Sequence, residues 1–92
     1  MTYIYILQDQ EPLNDAIILD HVQHLKQLRK EGRLLLCGPF SDHPGGMVVI
    51  QASTKDEALQ IARNDPFILG FYKTFELYTV DVADESNDFG MR

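Results

Sequence analysis

Three histidines and one cysteine are the side chains of this 92-residue chain best suited to moving a proton or attacking a substrate. His21 and His24 fall within a stretch of helical periodicity, Leu13–Glu31. On a wheel of about 100° per residue with Ile17 at zero, Leu28, Leu25 and Val22 fall at about +20°, +80° and +140°. His21 lands inside that apolar arc at about +40°, and His24 at its edge at about −20°. The helix therefore aims His21, with His24 beside it, toward its buried side. An inward imidazole needs a partner, because an unpaired buried polar group costs about 1–3 kcal/mol. Two readings stand side by side: a satisfied core histidine, or a general acid/base that titrates near neutral pH. A metal shared by His21, His24 and His43 is not expected, since no HExxH-type spacing accompanies them. Cys37 sits in an apolar run, where an inert thiol is commoner than a nucleophile. Gly45-Gly46 precedes a strand rather than a helix, so it forms a hairpin turn and not a phosphate loop. Asp65 precedes Pro66, which is the pattern of a helix cap followed by proline at the first helical position.

The elements that must position these groups follow from local chemistry. Thr2–Leu7 is β-branched and aromatic and reads as a strand. The helix over Leu13–Glu31 ends at Gly32, a residue free to take positive φ. Arg33–Cys37 is a short apolar strand closed by Gly38-Pro39, and Met47–Gln51 a third strand after loop chemistry over Ser41–Gly46. Ser53 and Thr54 cap a second helix, with Glu57 at capping-box spacing from Thr54. Asp65-Pro66-Phe67 opens a short turn closed by Gly70, and Tyr72–Val82 is a last, long strand. The order β-α-β-β-α-β is the ferredoxin-like plan of an α+β fold. Residues 1–82 form one domain, and residues 83–92 an acidic tail expected to be solvated and frayed.

The strands are apolar at both parities: Tyr3, Tyr5 and Leu7 alternate with Ile4 and Ile6, and Met47 to Ile50 has no polar gap. Such strands are buried on both faces, yet two helices cover one face of a four-stranded sheet. The simplest cover for the other is the same face of a second copy, in a two-fold homodimer. The net charge of −6 repels phosphate backbones and argues against nucleic-acid binding. No apolar stretch approaches the roughly 20 residues that span a bilayer, and the start carries no basic targeting region. A lone cysteine suits a reducing compartment, so the cytoplasm is expected.

Three separated segments carry a resemblance: His21-Val22-Gln23-His24-Leu25, Gly32-Arg33-Leu34-Leu35-Leu36-Cys37-Gly38-Pro39 and Asp65-Pro66-Phe67. In this order they resemble the YciI-like, or YCII-related, family over about residues 1–82. The resemblance implies a ferredoxin-like dimeric α+β barrel and a site built on a helix histidine and the aspartate of the Asp-Pro-Phe turn, matched here by His21 and Asp65. His24 matches a variable position. Departures are Cys37 in place of a small residue, a Gly70 that comes early after Asp65, and a last strand without a Pro-aromatic ending. Were Asp65 to meet His21, it would fix the imidazole tautomer and stabilise imidazolium. With no Ser or Cys motif beside it, that pair suits proton chemistry on a small molecule: elimination, isomerisation or dehalogenation through water. The alternatives are a non-catalytic small-ligand or accessory module and a structural dimerisation module. No cofactor is implied.

Overall fold

The computed structural model describes residues 1–91. Eight residues of extended, β-branched and aromatic sequence form β1 (Thr2–Asp9), followed by α1 (Asp15–Lys30), β2 (Leu34–Pro39), β3 (Gly46–Gln51), α2 (Lys55–Arg63), α3 (Pro66–Leu69) and β4 (Lys73–Val80). The four strands form one antiparallel sheet in the order β2-β3-β1-β4. This is a small α+β fold with the ferredoxin-like element order.

Each helix begins and ends where its caps dictate. The Asn14 side chain accepts from the Ile17 N–H at 3.0 Å and starts α1 two residues later than the periodicity alone suggests. Its end is the glycine turn expected from sequence: Gly32 has φ +74°, and Arg33 N–H reaches back to the Leu28 carbonyl at 2.8 Å. Thr54 caps α2 by accepting from the Glu57 N–H at 3.1 Å. The Glu57 carboxylate, instead of closing a capping box on Thr54, bonds the Ser53 N–H and pairs with Arg33.

Cross-strand register sorts the apolar strands into two faces. Cys37, Val48, Tyr5 and Leu77 form a row across all four strands on the helix side. Tyr3, Tyr5, Leu7, Val48 and Ile50 are buried there against Leu28, Ala58, Ala62 and Phe67. On the other side, Leu36, Val49, Ile4 and Tyr78 form a second row. Among the described residues no helix covers it: Leu36 is 56% exposed and Tyr78 52%. A bulge between Leu34 and Leu36 lets both neighbours of Leu35 pair with β3 while turning to opposite faces. That is why the unbroken leucine run lacks a simple alternation.

Strand ends differ from expectation by one to two residues, the last strand stopping at Val80. Residues 83–91 of the acidic tail are mostly exposed and bonded locally. Asp84 accepts from the Ser86 N–H, Asn87 accepts from the Asp84 N–H, and Glu85–Gly90 closes into a 3₁₀ segment kinked at Asp88 and Phe89. A local side-chain cap there replaces the tertiary contact a tail otherwise needs to be ordered. The last tail residue, Arg92, lies outside the described residues.

Candidate functional site

Asp65 is completely buried, and its carboxylate is where three elements meet. The α3 cap supplies the first donor, since the Phe67 N–H bonds Oδ1 at 3.0 Å. Strand β1 supplies the second: the Tyr5 hydroxyl donates to Oδ2 at 2.8 Å. Helix α1 supplies the third, with His21 Nδ1 2.7 Å from Oδ1. All three suit an acceptor-only carboxylate, and with it as partner the Nδ1 proton is the donated one. That leaves His21 Nε2 as the nitrogen available to a ligand. The pairing links residues 21 and 65, on the two elements whose sequence drew attention to them.

The His21 ring is fixed on a second side. It stacks on Phe67, with ring centroids 3.8 Å apart and planes 10° from parallel. Imidazole orientation is thus set by a hydrogen bond and by packing together. Tyr5 was not singled out by sequence; its position in a strand of alternating aromatics reads only as core. Burial, and then the neighbouring Asp65 charge, push its hydroxyl far above the ordinary phenol value, so it is held as a donor.

His21 faces a cleft of about 380 Å³ between α1 and the end of the sheet at the β2–β3 hairpin. Ligand clefts start at about 300 Å³, so this one suits a small molecule. Leu7, Ile18, Leu25, Val48 and Phe67 make its wall apolar, and Cys37 and Lys73 also line it. Cys37 is a half-buried free thiol. Lys73 pairs with Asp9 at 2.6 Å and lies 5.2 Å from the Phe67 ring centroid. The Lys73 ammonium holds the Asp9 carboxyl below its ordinary value.

The other histidines go elsewhere. His24 borders a separate groove between α1 and α2, with Gln27, Glu31, Gln60 and Asn64. Its Nε2 is buried and, among the described residues, has no hydrogen-bond partner. Desolvation lowers its pKa, against the opposing pull of the Asp65 charge. His43 is exposed on the hairpin, where Nδ1 lies 2.7 Å from the Pro44 carbonyl and the ring meets Phe40 edge-on. Among the described residues, no three His, Cys, Asp or Glu side chains converge to hold a metal, and no helix is long and apolar enough to cross a membrane.

Comparison with known proteins places this geometry in context. An uncharacterised protein of Bacillus subtilis (strain 168), YjpA, is 37% identical over 67 residues, which span 73% of this chain and 79% of that protein. The fold is similar to that of 5-chloro-2-hydroxyhydroquinone dehydrochlorinase from Burkholderia phenoliruptrix AC1100, solved in complex with 2,5-dihydroxybenzoquinone. There the TM-score is 0.68 at 17% identity, over 96% of this chain and all of that one. It is also similar to that of muconolactone isomerase, with TM-score 0.74 at 13% identity over 92% of this chain and 93% of that one. At such identities the likeness is one of fold alone. The YCII-related domain profile matches residues 1–81, from the first strand through the last, and the chain belongs to that family.

Proposed function

We propose that the cleft is a general acid/base site in which His21 transfers a proton to or from a small organic molecule and Asp65 orients the imidazole. The observation that carries this is the 2.7 Å approach of His21 Nδ1 to a fully buried Asp65, on a ring that also faces an apolar cleft. A satisfied core histidine needs the first feature only. In the proposed step, Nε2 accepts a proton from a substrate carbon or hydroxyl, and Asp65 stabilises the imidazolium. In an elimination, the electron pair left behind forms a double bond as the leaving group departs with its own pair. In an isomerisation, Nε2 returns the proton at a second carbon. Each is an ordinary use of one base in an apolar cleft, and fold relatives that act on halogenated hydroquinones and lactones make such small rings the compounds to screen first.

The same proposal includes a cytoplasmic homodimer joined through the open sheet face as a dimeric α+β barrel. The apolar row of Leu36, Val49, Ile4 and Tyr78 supports it. The test is a panel of unsaturated lactones and halogenated dihydroxyarenes, followed by ultraviolet absorbance with wild type and His21→Ala. Removing a general base is expected to lower the rate about 10²–10⁴-fold. Equal turnover by His21→Ala defeats the acid/base assignment. Binding of a panel member that raises the melting temperature, with no turnover by wild type, makes the cleft a ligand-binding module instead.

A further inference from the structure

Lys73 is the one lysine or arginine lining the His21 cleft. Its side chain is only 12% exposed, an unusual degree of burial for a lysine. Among the described residues its bonded partner is Asp9, whose own side chain is 51% exposed and shared with solvent. An ammonium has three donors, so the Asp9 contact leaves donor capacity at the cleft rim. Lys73 and His21 both lie against the Phe67 ring, which holds the cation at 5.2 Å and the imidazole at 3.8 Å from its centroid. The rest of the wall, from Leu7, Ile18, Leu25 and Val48, offers dispersion contacts and no competing charge. The chain as a whole carries −6, and within the cleft Lys73 is the positive group an entering anion meets.

We propose that Lys73 is an anion anchor and that the cleft takes a small, largely apolar monoanion, its acidic group on the Lys73 ammonium and its reacting atom beside His21 Nε2. This rests on the acid/base reading for the reaction but not for the binding. Asp9 competes with the ligand for the same ammonium and so tunes its affinity.

The probes are benzoate and its neutral isostere benzamide, titrated at pH 7.5 into the full-length protein and followed by amide and imidazole resonances. Benzoate is expected to bind about tenfold tighter or more, the usual contribution of one charge-assisted hydrogen bond. Lys73→Met is expected to erase that preference, and Asp9→Asn to strengthen benzoate binding several-fold by freeing the ammonium. Equal affinity for both probes, no benzoate binding, or a preference that survives Lys73→Met overturns the proposal. Asp9→Asn, which keeps the lysine, reads the same electrostatics should Lys73→Met fold poorly, and unchanged benzoate affinity there also overturns it. The two readings fail separately. A preference intact beside full turnover by His21→Ala removes the acid/base role alone. A lost preference beside His21-dependent turnover removes the anchor alone.

Discussion

Tyr5 is the donor to Asp65 whose removal is simplest to interpret. Tyr5→Phe keeps the ring, which is fully buried and meets Phe75 edge-on at 6.3 Å, and deletes only the hydroxyl bonded to Oδ2. A buried acceptor left without its donor costs about 1–3 kcal/mol, so urea denaturation is expected to show a loss of that size, with the slope unchanged. No loss would mean that water or a shifted side chain replaces the phenol. His24 gives a prediction in pH. Its folded pKa lies below its unfolded value because burial disfavours imidazolium. As pH falls below about 6.5 the unfolded state takes up a proton that the folded state refuses, so stability falls with acidification. The slope from this one group is at most about 1.4 kcal/mol per pH unit. Denaturation midpoints of wild type and His24→Gln between pH 7.5 and 5.5 measure it, and an identical slope in the two proteins excludes His24 as its source. These residues were unevenly legible. A helical wheel turns His21 inward, and the Asp-Pro pattern marks Asp65 as a cap, but only family resemblance joins them. Tyr5 carries no sequence signal, because a donor in an aromatic strand is indistinguishable from packing until its partner is placed.

At the scale of elements, two backbone positions beside the site have conformations that side chains tolerate differently. Gly45, on the hairpin rim of the cleft, has φ +91°, and a Cβ there would overlap the Leu7 carbonyl oxygen. That obstacle is backbone, so Gly45→Ala is expected to destabilise the fold by more than the roughly 1 kcal/mol of left-handed strain alone. A melting temperature equal to wild type would show that the hairpin can move off β1. The turn between α3 and β4 is the opposite case. Gly70 has φ −88°, and the next residue, Phe71, takes the left-handed conformation at φ +63° while 84% exposed. The glycine thus comes one position before the residue that needs its freedom. Phe71→Gly is expected to stabilise the isolated chain by about 1 kcal/mol, measurable by thermal or chemical denaturation. A loss instead would mean that the exposed ring makes contacts in the folded assembly. Helices and strands were legible here because caps, glycine turns and β-branched runs are local. The bulge at Leu35 was not, since leucines on both parities look alike until β3 fixes the register.

At the scale of the whole molecule, the sheet is asymmetric in a way its sequence anticipates. One face is sealed by three helices, while the other displays Leu36, Tyr78 and Val80, with Ile4, Ile6, Met47 and Val49 half-buried between them. An apolar face of this extent is uncommon on a soluble monomer, and an antiparallel sheet that meets water on one side normally alternates polar residues there. Gln8, Thr74 and Glu76 do so toward one end of the face, where Gln8 bonds Thr74 and Glu76. The apolar row lies farther along β1, around Ile4. That division suits a self-complementary contact centred on Ile4, with the polar end at its rim. Sedimentation equilibrium is expected to give a dimer for wild type. Leu36→Glu adds a charge at a side chain already exposed in the single chain, so it is expected to leave the fold intact by circular dichroism while shifting the protein to monomer. Leu36→Met keeps the apolar contact and should remain dimeric. A wild-type monomer, or a Leu36→Glu dimer as tight as wild type, would remove the open face from the interface. The cleft gives this test a further consequence. Apart from Met47, its lining comes from α1, α3, the hairpin and the helix side of the sheet, on the face away from the proposed contact. Benzoate binding should therefore survive in the Leu36→Glu monomer. A cleft that lost its ligand on dissociation would need the second copy to complete it.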